Sequence, residues 1–334
     1  MGVEVVCCGE TVVDLFARQD HLAFFPDAFV PSPGGAAVNV AVALTRLGVQ
    51  SALLGKIGGD IFGRFLNDAL SRENVDLRGL RISQGKPTSL TFVFRKEPLF
   101  LEPLFIRYGT TDMSLQKEEV SWEVLQETRV VHCVSLCLVR EPLRSATWEI
   151  LDFCRERKVF LSFDVNHRPL LWKNPDEAKD LIMRVAEMSD FLKLTREELQ
   201  FLTGCHNLEE GVVILLQRGV TNCVVTLGQE GAFFANSLGT GFIPAFSVLA
   251  VDPTGCGDAF CAGILKEVLS RKVTKGDPIS PKEFYGMGVF ASACGALTAQ
   301  KWGSSASFPT LTEVEQFLRE KMLIWEKGNL ISPQ

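Results

Sequence analysis

Residues 252–260 read Asp252-Pro253-Thr254-Gly255-Cys256-Gly257-Asp258-Ala259-Phe260, and their reading decides how the rest of the chain is taken. Gly255, Cys256 and Gly257 are small or flexible, and Asp258 opens an apolar-periodic run that reaches Ser270. The pattern predicts a tight turn feeding a helix. Glycines permit the sharp backbone path and leave the first N–H groups of the helix pointing outward, where the helix dipole also favours negative charge. Such a cup suits a phosphate, or the charge that builds on one during transfer. An aspartate on its rim could accept a proton from an attacking hydroxyl. A plain helix cap after a glycine turn has the same local sequence, so a second feature has to agree.

That feature lies near the amino terminus. Pro33-Gly34-Gly35-Ala36-Ala37-Val38-Asn39 runs into VAVALTRLG, small and apolar at helical spacing, with Gly48 as the stop. Adjacent glycines before a helix let the backbone approach a ligand, and Asn39, one turn inside, offers both a donor and an acceptor. Asn is a poor helix-interior residue. A sugar hydroxyl would give it a reason; so would a bond to the local backbone. Upstream, residues 3–8 form a short apolar run read as a buried strand, ending in Gly9-Glu10-Thr11. Asp14 is read as a carboxylate just beyond that strand, where open α/β sheets bind ligands.

Strand-like residues 51–57 precede helical 61–73, strand-like 159–164 precede helical 176–188, and helical 207–218 precede strand-like 222–226. This alternation predicts βαβ units around a parallel sheet, so the fold expected is α/β with a doubly wound, mostly parallel core. Residues 14–30 and 88–108 break the pattern with strand-like stretches and no helix between them. They are assigned to a small β-sheet lid, built from insertions at about 12–32 and 87–109 within a single domain spanning 1–334. A lid of this kind would exclude water, a competing phosphoryl acceptor.

GETVVDLF, PGGAAVNVAVALTRLG, GKIGGDIFG and DPTGCGDAF, in that order, resemble the ribokinase-like (PfkB-type) family of sugar kinases, and the resemblance covers essentially the whole chain. It implies transfer of the γ-phosphoryl group of MgATP to a sugar primary hydroxyl. Asp14, Gly34, Gly35 and Asn39 would hold the sugar, Asp258 would be the catalytic base, and the N–H groups of Gly255, Cys256 and Gly257 would face the phosphoryl group. Asp164 to Trp172 resembles a D-x-N-x-R-x-x-L-W motif shared by fructokinases and 2-keto-3-deoxygluconate kinases. D-fructose, giving fructose 6-phosphate, is the first acceptor implied; 2-keto-3-deoxygluconate is the second, with Arg107 and Arg168 able to grip its carboxylate. Lys193, Thr226, Gly228 and Gly231, with Gly255 and Gly257, fall at nucleotide-side positions. Glu197 stands where a glutamate acts on Mg²⁺ through water, with Glu198 a rival because Lys193 replaces the usual Asn. Asp252, Thr254, Gly303 and Ser307 would frame a monovalent cation such as K⁺. A nucleotide-binding relative that has lost turnover is the alternative of another class.

With 334 residues, 46% hydrophobic and 22% charged, the chain can bury a large core. A net charge of −6 and the absence of a Lys/Arg cluster argue against a nucleic-acid partner. No apolar run approaches the roughly 18 residues that cross a bilayer, so no membrane partner is expected. Ten scattered cysteines without a CxxC pair suit reduced thiols in a cytoplasmic protein. Cys133 and Cys137 beside His132 are the only approach to a zinc pattern. Strand edges and Phe24, Phe25, Phe29 and Phe100 in the lid could pair with a second copy as a homodimer.

Overall fold

The computed structural model describes residues 2–18, 26–97 and 100–327. Its larger sheet has nine strands in the order β13 (Gly239–Ile243), β12 (Ala232–Asn236), β11 (Asn222–Thr226), β10 (Phe191–Thr195), β9 (Phe160–Asp164), β8 (Val130–Val134), β1 (Val5–Cys8), β4 (Ser51–Gly58) and β5 (Leu80–Ser83). Every pairing from β11 through β5 is parallel, and β12 and β13 close one edge antiparallel. The parallel strands read as near-continuous apolar runs because helices cover both their faces.

Those helices are α1 (Ala36–Arg46), α2 (Ile61–Arg72), α3 (Trp122–Glu127), α4 (Leu143–Glu156), α5 (Pro175–Ala186), α6 (Arg196–Thr203), α7 (Leu208–Gln217), α8 (Cys256–Arg271), α9 (Pro281–Ala299) and α10 (Leu311–Lys327). Val6 and Cys8 of β1 join the core layer beneath α3 to α7, while Val5 and Cys7 face the layer of α1, α2, α8 and α9. The chain is thus wound on both sides of one sheet, as the alternation of its sequence predicts. Small residues let α8 and α9 lie close: a Cβ on Gly263 would stand 2.7 Å from Ala291 Cα. No helix among the described residues is long and apolar enough to cross a membrane.

A second sheet has the order β3 (Ala28–Gly34), β2 (Val12–Arg18), β6 (Ser89–Glu97) and β7 (Phe100–Ile106). Its two hairpin pairs are antiparallel and meet in the parallel pairing of β2 with β6. Asp14 lies within β2, opposite Ser32 and Thr91. Val13 points into the core, so its neighbour Asp14 takes the other face. Phe29 packs edge-on against Phe92 at 4.9 Å and is half-buried, not a free aromatic. Phe24, Phe25 and the side chain of Phe100 lie outside the described residues.

Candidate active site

The turn before α8 is built as an anion cup. Gly255 adopts φ 82°, the left-handed region that glycine enters without strain, and no side chain caps the helix. Among the described residues, the backbone N–H groups of Gly255, Gly257 and Asp258 have no hydrogen-bond partner. The Cys256 N–H is excepted: it donates to Pro253 O at 3.2 Å, so it is not free as the sequence reading expects. Burial, with Asp252 and Asp258 nearby, pushes the Cys256 thiol up to about 12, so it stays a neutral small side chain.

Beside this cup stands the other glycine turn. Asn39 Nδ2 donates to Asp258 Oδ2 at 2.7 Å, joining residues 219 positions apart. Asn39 Oδ1 is buried and has no partner among the described residues. Gly34 is crowded by a carboxylate and Gly35 by a backbone carbonyl. A Cβ on Gly34 would overlap Asp14 Oδ2, and one on Gly35 would overlap the Glu10 carbonyl oxygen. Gly35 also holds φ 100°, which a side chain rarely tolerates. The glycines thus serve the protein's own close approach, with or without a ligand.

Asp14 and Asp258 face one guanidinium, that of the exposed Arg168, which lowers the pKa of both. Burial outweighs it. Asp14 is raised to about 7, mainly by desolvation and then by Glu10, against Arg107 and a hydrogen bond from Thr91. Asp258 is raised to about 7 by desolvation and by Asp164, against Asn39, Lys193 and Arg168. A helix N-terminus alone would depress an aspartate; here low dielectric and a like charge prevail.

Several expected residues are placed differently. Lys193 Nζ is bonded to Asp164 at 3.0 and 3.1 Å, both groups buried. Burial opposes its charge, but Asp164 more than compensates, and the lysine pKa is raised. The ammonium sits directly behind the cup, 3.0 Å from where a Cβ on Gly257 would lie. Glu197 is exposed, whereas Glu198 is buried and its carboxylate accepts from the N–H groups of His167 at 2.6 Å and Thr195 at 2.7 Å. Arg107 is sealed by Asp112, bonded through both Nε and Nη2, and Asp112 also takes Ser89 Oγ and Thr110 Oγ1.

Thr226 ends β11, its hydroxyl donating to Leu194 O at 3.3 Å, and Gly228 and Gly231 bound the turn into β12 at the carboxyl end of the sheet. Asp252 latches a loop: Oδ1 accepts from Thr254 N and Oγ1, and Oδ2 from Gly303 N at 3.1 Å. Ser307 closes the same loop on Ser304 O at 2.6 Å. The loop also reaches the small sheet, through Ser304 Oγ to Pro33 O and Ser305 Oγ with Ser32 Oγ, each at 3.2 Å. Cys133 and His132 lie in β8, the histidine bonded to Ser162 Oγ at 2.9 Å.

An acid poised near neutrality at the rim of an open helix N-terminus, at the carboxyl end of a doubly wound sheet, defines a small-molecule phosphotransferase type of site. The family model described as pfkB family carbohydrate kinase matches residues 3–311, and the chain belongs to that family. It is 37% identical to Fructokinase-1 of Oryza sativa subsp. japonica over 313 residues, which cover 93% of this chain and 96% of the relative. Among solved structures, a fructokinase with bound ATP from Xylella fastidiosa superposes with a TM-score of 0.88 at 27% identity, covering 96% of this chain and 99% of the other. A fructokinase double mutant from Vibrio cholerae, in a form with fructose, ADP and potassium bound, gives 0.85 at 31% identity, covering 95% and 98%.

Proposed function

We propose that this carbohydrate kinase transfers the γ-phosphoryl group of ATP to the primary hydroxyl of D-fructose. The observation that carries the reading is the Asn39–Asp258 hydrogen bond, which sets the two glycine turns side by side. Asp14 and Asn39 Oδ1 would hold the sugar, and Asp258 would aim its hydroxyl and take its proton near neutral pH. The free N–H groups of Gly255, Gly257 and Asp258, with Lys193 behind them, would stabilise charge on the equatorial oxygens. The small sheet would act as a lid that closes over the sugar and excludes water.

Among the described residues no cluster of three or more His, Cys, Asp or Glu could hold a metal ion. Mg²⁺ would neutralise charge on the phosphoryl groups, and the buried Glu198 rather than the exposed Glu197 would meet it through water. The Asp252–Gly303 loop is the candidate for K⁺, as the Vibrio structure holds that ion. All ten cysteines are free, which fits a reducing cytoplasm. A homodimer through the small sheet would cover Leu104 and Ile106, both exposed on its edge strand β7; sedimentation tests it.

The sealing of Arg107 by Asp112 weighs against a sugar acid, since only Arg168 remains to meet a carboxylate. Arg168 keeps 2-keto-3-deoxygluconate as the second reading. A panel of sugars and this acid, followed by ADP release, decides: fructose is expected to give the highest kcat/KM, and a preference for the acid overturns the assignment.

A further inference from the structure

Glu10 takes no part in the transfer as proposed, yet it is 3% exposed and stands among the groups that would hold the sugar. Gly35 is the N-cap of α1 and has no side chain to satisfy the first N–H groups of the helix. Glu10 supplies the acceptor from another element: its Oε1 takes the Ala36 N–H at 3.0 Å. Its Cγ lies 3.1 Å from where a Cβ on Gly35 would be, and its other oxygen, Oε2, is buried with no partner among the described residues. The charged groups around it are Arg107, Asp112 and Asp14, with the neutral Cys137 thiol beside them. Arg107 supplies the compensating charge without a hydrogen bond to Glu10, because its guanidinium is directed at Asp112.

We propose that Glu10 is a positioning residue for the acceptor sugar, capping α1 in place of the side chain Gly35 lacks. The proposal rests on the kinase reading above. Glu10 fixes the first turn of the helix that carries Asn39, whose own N–H bonds Gly35 O at 2.9 Å. Burial raises the pKa of Glu10, so the cap rather than a charge is what it contributes.

Two variants test the cap. Glu10→Ala removes cap and charge, and the sugar KM is expected to rise about tenfold, the effect of losing a helix cap, while the ATP KM stays within about twofold. Glu10→Gln keeps an acceptor for Ala36, so its sugar KM returns toward wild type. A residue that merely packs would show no such recovery in Glu10→Gln. Hydrogen exchange at residues 35–39 is expected to quicken in Glu10→Ala and not in Glu10→Gln, and it needs no turnover. A wild type inert toward every sugar sinks the kinase reading. Unchanged exchange and sugar KM in Glu10→Ala, or no recovery of either in Glu10→Gln, overturns the role of Glu10.

Discussion

Asp258 is held between an environment that keeps its proton on and three neighbours, Asn39, Lys193 and Arg168, that draw it off. With a pKa near 7, activity is expected to fall below neutrality as the base is protonated. Asp258→Asn is expected to lower kcat roughly 10²-fold or more with ATP affinity little changed, measured by steady-state kinetics and nucleotide titration. Asn39→Leu removes the bond that favours the ionised form, so the acid limb of kcat should move to higher pH. A limb that stayed in place would mean another group is titrating. The two residues were legible because each stands oddly in its motif: an acid at a glycine turn, an amide inside an apolar helix. Glu198 was only the rival of Glu197 in the sequence reading, although Thr195-x-x-Glu198 is a capping box, a signal that would have turned its side chain back toward the helix start. The Arg107–Asp112 pair was not legible, because four residues of irregular chain separate the partners and no periodicity predicts which way either points.

At the level of the element, the glycine turn and the buried ion pair behind the cup make opposite demands. Gly35→Ala meets both a positive φ and the Glu10 carbonyl, and is expected to destabilise the fold by about 1–3 kcal/mol, read as a lower Tm. Gly34→Ala instead collides with the Asp14 carboxylate, a side chain that can turn away. Its effect should appear mainly in the sugar KM. Lys193 and Asp164 are buried together, so Lys193→Met leaves an unpaired carboxylate and is expected to cost about 3–5 kcal/mol in denaturant unfolding. Removing both charges, as Lys193→Met with Asp164→Asn, should cost less than Lys193→Met alone. Strand–helix alternation revealed the parallel sheet because each period is local. The pairing of Lys193 with Asp164 depends on β9 lying beside β10, a neighbour relation that only the assembled sheet supplies.

Across the whole molecule, the cleft carries a stability penalty that varies with pH. Asp14 and Asp258 titrate near 7 when folded, against an unfolded value of about 3.9. Between those values the unfolded chain has already given up protons that the folded protein retains, so stability falls as pH rises from about 4 to 7. The Tm of Asp258→Asn should therefore exceed that of the wild type more at pH 8 than at pH 5; parallel curves would contradict the raised pKa. The loop that Asp252 latches at Gly303 has its next two residues, Ser304 and Ser305, tied to Pro33 and Ser32. One short segment is thus fastened at the phosphate end and at the carbohydrate end. If nucleotide tightens the grip on sugar by some factor, sugar must tighten the grip on nucleotide by the same factor, since the two affinities share one thermodynamic cycle.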